Sequence, residues 1–115
     1  MPSIADRVWE TNSATGTSDF VLTGAKTGYQ TFAAGCGSAA VIVPYCAVSG
    51  SEWECGYGTF NGTTGITRDK IESSSNSNAK VSFSSAPDVF LTLIADLSQN
   101  ARLGRQLARQ FFPSW

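Results

Sequence analysis

Histidine is absent from this chain of 115 residues. Its absence excludes Ser-His-Asp and Cys-His nucleophilic sites, and any zinc site that needs an imidazole ligand. The three cysteines, Cys36, Cys46 and Cys55, stand ten and nine residues apart, and no Cys-x-x-Cys occurs. There is no P-loop, no GxGxxG fingerprint and no HExxH. No apolar run is long enough to span a bilayer as a helix. The opening MPSIADRVWE lacks the apolar core of a secretory signal, so the expectation is a soluble chain made in the cytosol.

Charge is also scarce, at 15% of residues. Serine, threonine and glycine fill the gap, and apolar content is an ordinary 42%. This length is typical of one domain and buries a core without needing cross-links. β-Branched residues and scattered glycines favour an all-β fold. From Met1 to Asp96 five bases face nine acids, a net of −4, whereas the remainder holds Arg102, Arg105 and Arg109 and no acid. Three arginines beside an acidic body are too few to point to nucleic acid.

Short apolar runs recur between turn residues. Residues 4–11 (IADRVWET) read as a first strand. Residues 18–28 read as a second, with Phe20 and Leu22 on one face, Val21 on the other and a stop at Gly24. GYQTFAAG follows between Gly28 and Gly35 as another short strand. In the long run SAAVIVPYCAVSG, Pro44 lacks a ladder donor and reads as an edge, a bulge or a break. SEWECGYGTF alternates, and the expectation puts Trp53, Cys55, Tyr57 and Thr59 on one face, with Glu52, Glu54, Gly56, Gly58 and Phe60 on the other. NGTTG reads as a hairpin turn, ITRDKIESSS as its partner strand and SSSNSN as a polar loop. Val81 and Phe83 are expected inward, and VFLTLIAD, apolar on both faces, reads as central in the fold. About eight short strands imply an antiparallel β-sandwich or a jelly-roll-like small barrel over residues 1–96.

After Asp96 the pattern becomes helical. Over residues 97–115, Leu103, Leu107 and Phe111 recur at i, i+4 and i+8, widened by Ala101, Ala108 and Phe112. Arg102, Arg105 and Arg109 share the adjoining face, Asp96 or Ser98 serves as N-cap, Pro113 ends the helix, and Trp115 is last. Such a stripe needs a partner surface: its own β-domain or a neighbouring subunit. In the second reading Arg102, Leu103, Arg105, Leu107, Arg109, Phe111, Phe112 and Trp115 are subunit-interface candidates.

The residues offer few other constellations. Glu52 and Glu54 on one strand face would lie roughly 6.5–7 Å apart, near the spacing of glycosidase carboxylates. Acids alternating with aromatics are also what a half-wet strand shows, and that reading is favoured. Asp6, Arg7 and Glu10 read as a solvated strand edge in preference to a salt-bridged arm. Free, half-buried thiols are the favoured reading of the cysteines, since cysteine packs as a small apolar residue. A Cys46–Cys55 pair across adjacent strands stays open.

Several stretches together resemble a small β-rich structural domain of tailed bacteriophages, found as short virion proteins and at the start of tail-fibre-like chains. The stretches are Asp6-Arg7-Val8-Trp9-Glu10-Thr11, Thr15-Gly16-Thr17, Gly24 to Phe32 (GAKTGYQTF), Trp53 to Thr59 (WECGYGT), Arg68, Ser74-Ser75-Asn76, Val81-Ser82-Phe83-Ser84 and Val89-Phe90-Leu91-Thr92. They lie in order over residues 6–92; the cysteines and residues 97–115 fall outside the pattern.

The resemblance implies a non-enzymatic structural role in the virion without cofactors, in the tail, fibre or head–tail region, with capsid decoration as the alternative. It implies other virion proteins and further copies of the chain as partners, and neither nucleic acid nor membrane. It makes Trp53 and Tyr57 core residues, and Glu52 and Glu54 solvated or facing a neighbour. Gly56 and Gly58 would allow a close backbone approach or a bulge. Two rivals come from other classes. One is a carbohydrate-binding module using an exposed Trp53 or Tyr57, although no residue argues for a host-surface glycan. The other is a small glycosidase using Glu52 and Glu54.

Overall fold

The computed structural model describes residues 5–92. The fold is all-β, built from seven strands: β1 (Trp9–Asn12), β2 (Phe20–Ala25), β3 (Val41–Ser49), β4 (Glu52–Phe60), β5 (Gly65–Ile66), β6 (Lys70–Ser74) and β7 (Asp88–Leu91). Every ladder between them is antiparallel. The order β3-β7-β1-β2-β5-β4 closes on itself because β3 also pairs with β4. Of the sandwich and barrel alternatives, the pairing is that of a small closed barrel, with β6 attached outside the ring to β4 alone.

β3 and β4 form the longest ladder, nine residues in unbroken register from Val41↔Phe60 to Ser49↔Glu52. Pro44 sits inside β3 without breaking it. Its carbonyl accepts from the Thr92 amide, so its missing donor faces the same side, just past the last β3–β7 pair, Tyr45↔Leu91. The stretch expected as one partner strand is divided into β5 and β6, which follow each other along the same edge of β4. Asn61 builds the β4–β5 turn, its side-chain oxygen accepting from the amides of Thr63, Thr64 and Gly65. β7 lies between β3 and β1, central as its two-sided apolarity suggests.

Two local expectations are corrected. The stretch 28–35 is not a strand, since Phe32–Cys36 forms a short helix, α1, with Thr31 as N-cap accepting from the Ala34 amide. Val81 and Phe83 are buried as expected, in an extended segment outside the seven strands that is held by the bridge Gly16↔Phe83 and by the Val81 backbone, which bonds Glu54 and Arg68. Cys46 and Cys55 are bonded as a disulfide across directly opposed positions, with Cα atoms 4.1 Å apart. Register places the two thiols together, which packing preference alone does not reveal. Cys36 is outside any disulfide.

The core gathers Phe20 and Leu22 of β2, Val43, Tyr45 and Ala47 of β3, Phe60, Ile66 and Val89, with Val8, Phe32, Val81 and Phe83 from the connecting segments. Phe20 meets Tyr45 edge-on at 5.3 Å and Phe32 meets Phe60 at 5.8 Å, separations typical of packed aromatic pairs. The candidate interface residues Arg102 to Trp115, and the C-terminal helix itself, lie outside the described residues.

Candidate interaction surface

β4 shows its sides reversed from the sequence expectation. Glu54, Gly56, Gly58 and Phe60 face inward, while Trp53, Cys55, Tyr57 and Thr59 face outward. Trp53 is therefore exposed, and Glu54 is completely buried. The cause is Arg68, which follows β5. Its Nε and Nη2 donate to the two Glu54 carboxylate oxygens at 2.7 and 2.6 Å. Nη1 donates to the carbonyls of Gly16 and Ser18, and Nη2 also to that of Val81. All five guanidinium N–H groups are used. Phe20 and Phe83 lie against the guanidinium at 5.0 and 5.4 Å.

Glu54 is equally satisfied. Besides Arg68 it accepts from the Tyr45 hydroxyl at 2.7 Å and from the Val81 amide at 3.0 Å. Burial alone would raise its pKa. The Arg68 hydrogen bonds, the Val81 amide, the Tyr45 hydroxyl and the Arg68 charge outweigh burial and hold it below the ordinary carboxylate value. Burial, followed by the hydrogen bond and charge of Glu54, pushes the Tyr45 hydroxyl well above its ordinary value. The network braces β3, β4 and three connecting segments together. Its carboxylate has no exposed atom to offer a substrate, so Glu52 and Glu54 do not form an accessible acid–base pair.

Gly56 and Gly58 share this inward side because β4 passes close to the backbone beside it. A Cβ at Gly56 would collide with the Lys70 carbonyl, and one at Gly58 with the Thr67 carbonyl. The β4–β6 ladder shifts register between Cys55 and Gly56, so both the close approach and a bulge are present.

Of Asp6, Arg7 and Glu10, the first two are exposed, as the solvated-edge reading expects, and Glu10 is buried, and no salt bridge joins them. Arg7 adopts a left-handed backbone (φ 56°), costly for a non-glycine residue. Its Nε and Nη2 donate to the Gly28 carbonyl, and its guanidinium lies 4.0 Å from the Tyr29 ring centre. The Gln30 side chain donates to the Asp6 carbonyl. Glu10 is buried and accepts from the Phe32 amide, the first of α1, at 2.7 Å. Burial raises its pKa, with the Phe32 and Gly24 amides opposing.

The outward face of the β3–β4 ladder is apolar. Its opposed pairs are Ile42↔Thr59, Pro44↔Tyr57, Cys46↔Cys55 and Val48↔Trp53, of which Pro44 is itself fully buried. Ile42, Val48 and Trp53 are 51%, 37% and 38% exposed. The strip continues sideways, where Phe90 of β7 is opposite Cys46 and stacks on Trp9 at 4.8 Å, and Trp9 meets Tyr29 at 5.0 Å. Charges mark its ends. Asp88 is opposite Val48 and pairs with Lys26. Asp69 accepts from the hydroxyls of Thr59 and Thr67, which hold its carboxyl below the ordinary range.

The sequence reading missed Ile42, Val48 and the disulfide as surface elements. The available signal was the two-sided apolarity of residues 39–48. A separate polar pocket of about 310 Å³ is lined by Glu52, Ser75, Asn76, Val81 and Ser82. One Glu52 oxygen is held there by the Ser84 amide and hydroxyl. Glu52 projects from the opposite side of β4 to Trp53, as alternation requires.

The molecule is thus a small closed antiparallel barrel with an apolar external strip. No protein-family model, curated protein or solved structure matches this chain.

Proposed function

We propose that this chain is a structural component of a tailed-bacteriophage virion, working by assembly without catalysis, in the tail, fibre or head–tail region. The observation that carries the reading is where the phage-like stretches fall. They supply the residues that hold the barrel together: Arg7 on Gly28 and Tyr29, Glu10 on Phe32, Gly16 on Phe83, and Glu54 on Arg68 and Val81. A pattern made of such braces describes a scaffold. Arg7, Glu10, Glu54 and Arg68 within it are engaged by the fold, and the apolar groups left outside suit contact with another protein.

The half-exposed disulfide supports the same reading, since disulfides persist in oxidising surroundings, virion surfaces among them. Synthesis in the host cytoplasm would deliver the thiols, and the bond would close after release. Capsid decoration is the alternative position for the same chain.

The exposed Trp53 meets the first condition of a carbohydrate-binding module. Its neighbours across the strands are Val48 on one side and Ser75 on the other, and the Ser75 hydroxyl is taken up by the amide and carbonyl of Trp53 itself, which leaves no free group there to fix a sugar hydroxyl. Protein contact is therefore the better reading of Trp53.

Gold-conjugated antibody against this chain, viewed on purified virions by electron microscopy, tests the proposal. Gold confined to the tail or neck is the expected result, and gold over the head would make it a decoration protein. Unlabelled virions, with the antigen present in lysate, would overturn the virion reading.

A further inference from the structure

We propose that the polar pocket at the start of β4 binds a primary alkylammonium group, the chemistry shared by a lysine side chain and a free polyamine. The proposal goes beyond the virion reading and does not depend on it.

Three segments build the pocket, and each is bonded into the fold. Glu52 lies on the same side of β4 as Glu54, two residues on. Ser75 and Asn76 belong to the turn after β6. That turn is tied to β4, since the Ser75 amide donates to the Trp53 carbonyl and the Trp53 amide donates to the Ser75 hydroxyl. It is closed on itself by the Ser74 amide on the Asn78 side chain and by the Asn76 side-chain amide on the Lys80 carbonyl. Val81 and Ser82 form the third wall, where the Val81 backbone bonds Glu54 and Arg68. The volume, about 310 Å³, is at the lower end for small-ligand pockets.

The pocket chiefly offers acceptors. One Glu52 oxygen takes both the amide and the hydroxyl of Ser84, at 3.0 and 3.1 Å. The carboxylate is thereby oriented in advance, which lowers the cost of binding. Its second oxygen has no partner, and no cation pairs with it, among the described residues. Asn76 donates to Lys80 and keeps its side-chain oxygen open. The Ser82 hydroxyl is likewise unengaged, whereas that of Ser75 is taken up by Trp53.

This set selects among ligands. A divalent cation wants several acidic ligands, and no group of three metal-binding side chains occurs among the described residues. A guanidinium fork wants both oxygens of a carboxylate, and Ser84 already fills one. A sugar ring would find no aromatic face among the lining residues and would leave the Glu52 charge uncompensated. An ammonium is a compact charge with three donors. Three oxygens stand open to it, on Glu52, Asn76 and Ser82, and its methylenes suit the Val81 wall. The net charge of −4 over Met1 to Asp96 favours the approach of a cation.

The test is proton–nitrogen correlation NMR of the full-length chain, titrated at constant ionic strength. The ligands are Nα-acetyl-lysine methylamide, cadaverine, Nα-acetyl-arginine methylamide, calcium chloride and glucose. The first two are expected to shift the amides of Glu52, Asn76, Ser82 and Ser84 saturably, and the other three to bind at least about tenfold more weakly. Whichever ammonium ligand binds more tightly names the source, a neighbouring protein's lysine or a free polyamine. Glu52→Gln keeps an acceptor for Ser84 and is expected to weaken lysine binding at least about tenfold. Ser82→Asp adds a second carboxylate and is expected to tighten it at least about twofold. Asp6→Asn, at an exposed acid before β1, three ladders from β4, is expected to change nothing.

Shifts that fail to saturate or that spread over the acidic surface would overturn the proposal. So would equal binding of arginine, calcium or glucose, unchanged binding in Glu52→Gln, or no tightening in Ser82→Asp. Weakening by Asp6→Asn as large as by Glu52→Gln would reduce the effect to general charge attraction and overturn it too.

Discussion

Replacing Arg68 by methionine should be among the most damaging single changes to the barrel. The side chain length is roughly kept, so packing against Phe20 and Phe83 survives in part. What goes is the five guanidinium donors, two to Glu54 and three to the carbonyls of Gly16, Ser18 and Val81. Glu54 is left as a buried carboxylate with only the Tyr45 hydroxyl and the Val81 amide. Removing one partner of a buried ion pair costs about 3–5 kcal/mol. A domain of this size has only about 5–15 kcal/mol in total. With a urea slope of about 1.5 kcal/mol/M, the unfolding midpoint should fall by about 2–3 M.

A double-mutant cycle sharpens the test. Arg68→Met, Glu54→Leu and their combination should show a coupling above about 2 kcal/mol, because the double variant no longer buries an unpaired charge. The half-exposed pair Lys26–Asp88, at 2.9 Å, supplies an internal control. Its coupling should be below about 1 kcal/mol. Urea titrations followed by tryptophan fluorescence and circular dichroism give both numbers. A coupling for Arg68–Glu54 no larger than that for Lys26–Asp88 would refute the reasoning.

The two buried glutamates should respond to pH in opposite senses. Glu54 has a folded pKa below its ordinary 4.5, so its contribution is complete above that value and is lost as pH falls through the folded one. Glu10 has a folded pKa above 4.5, so its contribution is complete below that value and declines as pH rises through the folded one. Glu10→Gln removes that decline. Relative to wild type, its stability in urea should therefore improve between pH 4 and pH 7, and an unchanged difference would contradict the assignment. Reducing the Cys46–Cys55 bond, or replacing both residues by serine, should cost about 2–3 kcal/mol for so short a loop. Circular dichroism should be unchanged, since the flanking β3–β4 pairs remain, and denaturant titration with and without reductant measures the loss. A chain ending at Asp96 keeps every core residue from Val8 to Val89. It should unfold cooperatively but fail to co-sediment with virions, and loss of its circular dichroism would instead make residues 97–115 part of the domain's own core.

The all-β class was legible in the sequence because its causes are local. β-Branched alternation, the Asn61-Gly62 turn and the inward side of Phe20 and Leu22 need only the residues concerned and their neighbours in the chain. The glycines of β4 also announced themselves, since a strand interior keeps glycine where another backbone comes close, as Lys70 and Thr67 do here.

The interior side of β4 is a different kind of fact. Judged alone, a strand with two glutamates and two large aromatics turns its aromatics inward. The structure turns Glu54 inward because Arg68, fourteen residues on, brings five donors to that spot, and because Tyr45 and Val81 complete the carboxylate's shell. Once Glu54 points in, the two-residue period of a strand places Trp53 and Cys55 outside. The disulfide and the external strip then follow from the β3–β4 register. Local pattern decided that these segments would be strands. Which side of each strand met the core was decided by charge and register partners distant in sequence, which only closure of the barrel brings together.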